Sequence, residues 1–287
     1  MTTSPLLANT REELADALRG LERPVGFVPT MGALHAGHAS LMERARKEVG
    51  ADAPVVVSIF VNPMQFAAGE DLDRYPRTFE TDLEVCAAEG VDVVFAPSVD
   101  EVYPGGDPQV TVDPGPVARL LEGATRPTHF RGVLTVVAKL FGLVRPDVAV
   151  FGEKDYQQLV LIRRMVSDLC MGVDVIGAAI VREDDGLALS SRNRYLDEGQ
   201  RRSAVVLSRA LFAAREAAAG PRGAAAVLEA AHQELGRVDG VDLDYLELTD
   251  PDLGPVPDSG PARLLVAARL GSTRLIDNVA LTLNGDN

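Results

Sequence analysis

The sequence predicts an α/β protein in which a doubly wound, mostly parallel sheet is followed by a second, smaller α+β domain. Three observations carry this. Short β-branched apolar runs alternate with amphipathic helical stretches through the first two thirds of the chain. Repeated βα units need long crossover connections, and those make neighbouring strands parallel. Beyond about residue 181 the alternation stops and helices are followed by a group of strands, so the domains are placed at 1–181 and 182–287.

Taken in order, residues 25–29 form a short apolar run before a Gly-rich turn, and 37–49 read as a helix. Residues 54–61 include Val55-Val56-Val57-Ser58-Ile59, the composition of a strand buried on both faces. A helix over 78–89 is closed by Gly90, and a strand follows at 91–95. Residues 133–144 are helical, 147–151 a strand, 155–169 a helix and 173–181 the last strand of the series. This is a Rossmann-like order, in which ligands lie beyond the carboxyl ends of the strands. In the second domain, an Ala-rich helix over 201–219 ends at Gly220-Pro221 and a second covers 224–235. Residues 241–248, 264–269 and 274–283 read as strands of an antiparallel sheet, with the Pro-, Gly- and Asp-rich stretch 250–261 as a surface loop.

The chain of 287 residues carries a net charge of −14, which leaves no basic excess for coating nucleic acid but does not exclude a small anionic substrate held by a few local cations. Cys86 and Cys170 have no metal-type spacing and are expected as two buried thiols in a reducing compartment. The N-terminus lacks the pattern of a signal peptide, and the apolar runs are too short to span a membrane. A cytoplasmic protein is expected.

The unusual residues all follow strands. Pro29-Thr30-Met31-Gly32-Ala33-Leu34-His35-Ala36-Gly37-His38 holds two of the four histidines where a helix is about to begin. A helix N-terminus presents unpaired N–H groups and a positive dipole end, both favourable to phosphate. Gly37 lets phosphate approach the backbone, and the two imidazoles can donate to phosphoryl oxygens as charge develops. From this composition His-x-Gly-His arises by chance about once in two hundred such chains, which sets it above the alternatives of plain turn histidines or a metal pair lacking a third ligand.

Four further segments are candidates. In Asn62-Pro63-Met64-Gln65-Phe66, an amide on a Pro-braced turn can meet a hydroxylated substrate or simply face water. His129, in Thr128-His129-Phe130-Arg131-Gly132-Val133, is by itself either structural or a substrate contact. In Phe151-Gly152-Glu153-Lys154-Asp155-Tyr156-Gln157-Gln158, Gly152 allows close approach of a nucleotide and Lys154 offers a compact cation for phosphate. Asp155 can accept from ribose hydroxyls, and Gln158, one turn along, can face the same cleft; an ordinary capped helix start would explain the acids but not Phe151-Gly152. The segment Val181 to Asn193 contains Leu189-Ser190-Ser191-Arg192, whose hydroxyls and guanidinium can close over a triphosphate.

His-x-Gly-His after a first strand resembles the signature of the nucleotidylyltransferase superfamily, and the longer Pro-Thr-Met-Gly-Ala-Leu-His-x-Gly-His string is similar to that of the pantothenate synthetase family. Val-Asn-Pro-x-Gln-Phe, Thr-His-Phe-x-Gly-Val, Phe-Gly-x-Lys-Asp-x-Gln-Gln and the Ser-Ser-Arg-Asn of the junction follow in the family's order, covering about 26–193; Leu189 stands where the family usually has methionine. The resemblance implies ATP-dependent condensation of pantoate with β-alanine through a pantoyl adenylate, with Mg²⁺, in a homodimer. An adenylyltransferase that stops at AMP transfer is the rival within the superfamily. The resemblance also implies ATP contacts from Pro29, Thr30, Met31, Gly32, His35, Gly37, His38, Phe151, Gly152, Glu153, Lys154, Asp155, Val181, Leu189, Ser190, Ser191 and Arg192. It implies substrate contacts from Gln65, Tyr75, His129 and Gln158. Asp82 is implied as an aid to Mg²⁺, its bland alternative being a solvated helix-face carboxylate. Tyr75 lies in the family-like loop Asp71-Leu72-Asp73-Arg74-Tyr75.

Overall fold

The computed structural model describes residues 4–67, 72, 75–220 and 223–284. Asp71, Asp73 and Arg74 of the loop before Tyr75, and Pro221 after the Ala-rich helix, lie outside the described residues. The chain forms two compact units: Met1–Glu153 with Gln157–Ala179, and Lys154–Tyr156 with Ile180–Asn287.

In the first unit, β1 (Leu6–Ala8), β2 (Gly26–Thr30), β3 (Val55–Ile59), β4 (Val93–Phe95), β5 (Val148–Gly152) and β6 (Asp174–Ala178) make one sheet in the order β1-β4-β3-β2-β5-β6. Every pairing is parallel. The helices are α1 (Arg11–Leu18), α2 (Ala36–Val49), α3 (Phe79–Ala88), the single turns α4 (Val99–Val102) and α5 (Glu122–Thr125), α6 (His129–Val144) and α7 (Tyr156–Asp168). Consecutive strand residues such as Val55, Val56, Val57 and Val93, Val94, Phe95 are at most 1% exposed. Successive side chains point to opposite faces, so this continuous burial means that both faces are covered. From β2 the chain winds one way through β3 and β4, then resumes on β2's other edge with β5 and β6. The switch point therefore lies between the carboxyl ends of β2 and β5, where such sheets bind ligands.

In the second unit, α8 (Glu198–Ala218) and α9 (Gly223–Leu235) accompany an antiparallel sheet of β7 (Val241–Thr249), β8 (Gly260–Leu270) and β9 (Thr273–Leu283). Asp197 starts α8 with a capping box closed by Gln200. Leu207, Leu211 and the alanines 204, 210, 214 and 218 form one core with Leu264, Val266, Ala268, Leu275, Val279 and Leu281. Small side chains on the helix stripe are what allow α8 to lie close to the sheet.

The expected element order holds, with differences at the edges. β1 and α1 are additions to it. α6 begins at His129 rather than 133, because Gly132 is no helix boundary: a Cβ there would strike the Met64 carbonyl, so glycine is needed where the helix meets the turn Pro63–Gln65. α8 starts at Glu198, three residues early, at its Asp197 cap. The stretch 250–261 is not wholly surface loop, since Leu253 is buried and β8 begins at Gly260. Cys86 is buried, but Cys170 is exposed at positive φ just after α7, correcting the expectation of two buried thiols.

Candidate functional site

β2 delivers the chain into a tight loop. Thr30 donates its hydroxyl to the Ser58 carbonyl on β3 (2.8 Å), and its oxygen accepts from Gly32 N–H (3.3 Å). Gly32 and Ala33 both take positive φ, 80° and 52°. For Ala33 that conformation is strained, and it persists only if something holds it. Asp82, on α3 and 1% exposed, does so: its carboxylate accepts from Ala33 N–H (3.0 Å), Leu34 N–H (2.8 Å) and the Thr78 hydroxyl (3.0 Å).

The loop ends at His35, the N-cap of α2. His35 Nδ1 accepts from Gly37 N–H (3.1 Å), and His38 Nδ1 accepts from His35 N–H (3.3 Å), a capping box built from imidazoles; the ring centroids are 4.1 Å apart. A backbone N–H can only donate, so each Nδ1 is an acceptor and the proton of each neutral ring sits on Nε2. Both residues are half-buried and stand at the N-terminus of a helix at the switch point.

Across the same unit Gln65 is 8% exposed and held on all sides. Its Oε1 accepts from Asn62 Nδ2 (3.1 Å), and its Nε2 donates to the Met31 sulfur (2.8 Å). Tyr103 O–H donates to Asn62 Oδ1 (2.8 Å), and burial, then the Asp107 charge, push the Tyr103 phenol well above its ordinary value, so it remains a donor. The Gln65 carbonyl accepts from His129 Nδ1 (3.0 Å) and Arg126 (3.2 Å), while Arg126 also approaches His129 Nε2 (3.3 Å), which fixes the His129 proton on Nδ1. A thioether is a weak acceptor, so the Gln65 amide can exchange it for a substrate hydroxyl at little cost. The Tyr75 ring stands edge-on to Phe66, which adjoins Gln65. Phe151 is buried near the end of β5, and Gly152 and Glu153 follow it. Gln157 is committed to fold: it bridges Glu122 N–H and the Val117 and Leu120 carbonyls, leaving Gln158, half-buried, as the substrate candidate of the pair.

In the second unit, Lys154 Nζ lies 3.8 Å from the carboxylate of the neighbouring Asp155. The chain from Val181 forms a narrow turn in which Leu189 N–H reaches the Val181 carbonyl and Glu183 N–H the Leu187 carbonyl. Arg201 clamps Glu183 and Asp185 (2.8 and 2.7 Å), and this pairing raises the guanidinium's affinity for its proton. Ser190 caps the short turn Ser191–Tyr195 by accepting from Arg192 N–H (3.2 Å). Lys154, Ser190, Ser191 and Arg192 are all half-buried.

The sequence reading implies Mg²⁺ at Asp82. The structure shows Asp82 buried, its carboxylate accepting from two backbone N–H groups and a hydroxyl, so that it anchors the Ala33 loop rather than standing solvated on a helix face; among the described residues no group of three or more His, Cys, Asp or Glu comes together. Sequence spacing gives no sign of the Asp82 contact, which spans 49 residues.

A family model described as Pantoate-beta-alanine ligase matches residues 6–280. The chain is 67% identical to a pantothenate synthetase of a Nocardioides species over 99% of this chain and 87% of that protein. Against the pantothenate synthetase of Nocardia farcinica it is 59% identical over 94% of this chain and 83% of the other. Among solved structures, a Thermus thermophilus pantothenate synthetase superposes with a TM-score of 0.88 at 50% identity, covering 96% of this chain and 98% of that one. A pantoate-beta-alanine ligase of Francisella tularensis, complexed with beta-gamma ATP and β-alanine, gives 0.78 at 33% identity over 96% and 97% of the two chains.

Proposed function

The chain belongs to the pantoate–β-alanine ligase family, and from that premise we propose that it forms pantothenate by way of a pantoyl adenylate made from ATP. It is an amide-forming ligase. In the first step a pantoate carboxylate oxygen attacks the α-phosphorus of ATP and pyrophosphate leaves. In the second, the uncharged amine of β-alanine attacks the acyl carbon, the amide bond forms, AMP leaves and the amine gives up a proton to solvent. No protein nucleophile takes part.

The observation that carries the residue assignments is the tautomer at the start of α2. Two Nδ1 atoms accepting from backbone N–H groups put the proton of each neutral ring on Nε2, the donor that can turn to a phosphoryl oxygen, at a helix end that already favours anions. His35 and His38 thus donate to the phosphates, with Gly37 and the backbone of Pro29, Thr30, Met31 and Gly32 beside the nucleotide. Lys154 and Arg192 supply positive charge, and Ser190 and Ser191 hydroxyl donors, to stabilise the phosphates by position and electrostatics. Asp155 meets the ribose, and Phe151, Gly152, Glu153, Val181 and Leu189 line the nucleotide. Gln65 and Gln158 hold pantoate, with Tyr75 and His129 toward the acceptor. The Francisella ligase complexed with beta-gamma ATP and β-alanine supports ATP and β-alanine as ligands here.

The test is to supply ATP, pantoate and β-alanine and identify the products. AMP and an amide are expected; AMP left attached to the acceptor would make this an adenylyltransferase instead. His38→Ala and Lys154→Ala should fold normally and lose at least ~100-fold in turnover, the scale of one preorganised electrostatic donor. Turnover near the parent level in both would overturn the assignment. A cytoplasmic homodimer without nucleic-acid or membrane partners completes the proposal. The net charge of −14, with no basic excess to neutralise phosphates, supports the absence of a nucleic-acid partner; light scattering checks the oligomer.

A further inference from the structure

Lys154–Tyr156 follows β5 in sequence, yet it clusters with the second unit. The reason is a set of buried polar residues on β8 and β9. Asn278 is 2% exposed in a strand whose other buried residues include Leu275, Val279 and Leu281. Its Nδ2 donates to the Lys154 carbonyl (3.0 Å), and its Oδ1 accepts from Arg263 Nε (2.8 Å). The Arg263 guanidinium, itself nearly buried, stacks over the Tyr156 ring at 3.8 Å, and the Tyr156 hydroxyl donates to the Pro251 carbonyl (2.9 Å). The backbone is thereby gripped on both sides of Asp155. On the opposite face of β9 the adjacent Asp277, also buried, binds Arg182 through both carboxylate oxygens (2.6 and 2.9 Å), at the start of the turn that leads to Ser190.

Burying a guanidinium and an amide costs free energy that apolar residues at the same positions would avoid. Packing alone does not call for them. What the polar choice delivers is direction: an amide donor aimed at one carbonyl and a flat cation laid on one ring fix the root of the Lys154 side chain. We propose that Asn278 and Arg263 are positioning residues for Lys154, setting its ammonium for the phosphates in the adenylation step. The proposal rests on the phosphate role given to Lys154 above.

The two half-reactions separate positioning from mere support of the fold. Adenylation is read by pantoate-dependent ATP–pyrophosphate exchange, and aminolysis by pantothenate formed from supplied pantoyl adenylate. Asn278→Ala, and Asn278→Asp, which keeps the acceptor for Arg263 but loses the donor to Lys154, should slow exchange by about 10- to 100-fold, the cost of an ångström-scale misplacement. Arg263→Lys, which keeps charge but not the flat stack, should act in the same direction. The KM for pantoate and the aminolysis rate should stay within about twofold of the parent. Combining Asn278→Ala with Lys154→Ala should add nothing to the loss from Lys154→Ala alone, because the residue being positioned is gone. Losses that multiply in the double variant, or both half-reactions falling together with thermal stability, would overturn the proposal. Exchange lost in Lys154→Ala but kept in both Asn278 variants overturns the positioning role alone. Exchange kept in Lys154→Ala removes the phosphate role and the proposal with it.

Discussion

Replacing Asp82 is the sharpest way to ask what holds the histidine loop. In Asp82→Ala the Ala33 and Leu34 N–H groups lose their acceptor in a buried site, while the Thr78 hydroxyl can turn elsewhere. A buried backbone donor left without a partner costs about 1–3 kcal/mol, so two cost about 2–6 kcal/mol, a large share of a typical stability of about 5–15 kcal/mol. Asp82→Asn keeps one acceptor and turns an NH₂ group toward the other backbone N–H, so about 1–3 kcal/mol is expected. The positive φ of Ala33 makes the loop relax once the anchor weakens, carrying His35 with it. A shift of about 1 Å at His35 is worth up to about 100-fold in turnover. Denaturant unfolding gives the stability change, and turnover across a series of Mg²⁺ concentrations gives the function. The reasoning is refuted if Asp82→Asn keeps parental stability and its lost turnover returns as Mg²⁺ is raised, which is how a metal ligand behaves.

Two further outcomes follow from the titrating groups. Burial, with the Asp82 charge adding, pushes the Cys86 thiol up to about 12, whereas Cys170 is exposed; a thiol reagent near pH ~8 should modify Cys170 in the native chain and both after unfolding. Equal native rates at the two would contradict this packing. The Asp185 carboxyl is held below its ordinary value, chiefly by the hydrogen bond from Arg201, with Leu187 N–H helping and burial opposing. A depressed carboxyl stabilises the native state above its unfolded pKa of about 4 and loses that contribution as pH falls through its lower native value. Proteolytic nicking of 183–187 should therefore rise in acid below about pH 4, and Arg201→Ala should show high nicking already at neutral pH; indifference of nicking to Arg201→Ala would rule the clamp out.

Much of the scaffold is legible in the sequence because its signals are local. β-Branched runs with no polar alternation read as β3 and β5, which are buried on both faces, and Gly90 marks the end of α3. β1 escapes such a reading because three residues at a sheet edge, with Leu6 61% and Leu7 42% exposed, carry no period to detect. α1 does carry a local signal, the Thr10–Glu13 capping box. The site divides in the same way. Histidines, lysine and serines stand in short strings after strands, so their candidacy can be read from spacing, but what orients them comes from far along the chain. Asp82 acts across 49 residues on Ala33, and Asn278 across 124 on Lys154, and no single-chain pattern encodes those pairings.

One clue to such partners is nevertheless present in the sequence. Arg274-Leu275-Ile276-Asp277-Asn278-Val279-Ala280 reads as a strand interrupted by an acid and an amide side by side. In a strand with one face toward the core, a single polar residue can always be assigned to the solvent face, but two in succession must occupy both faces. At least one of the pair is then buried and needs a specific partner. Here both are buried, one facing Arg182 and the other Lys154. Adjacent polar residues inside an apolar strand therefore point to long-range orientation of a site even where the partner cannot be named from the chain, and the Asn278 variants test that inference directly.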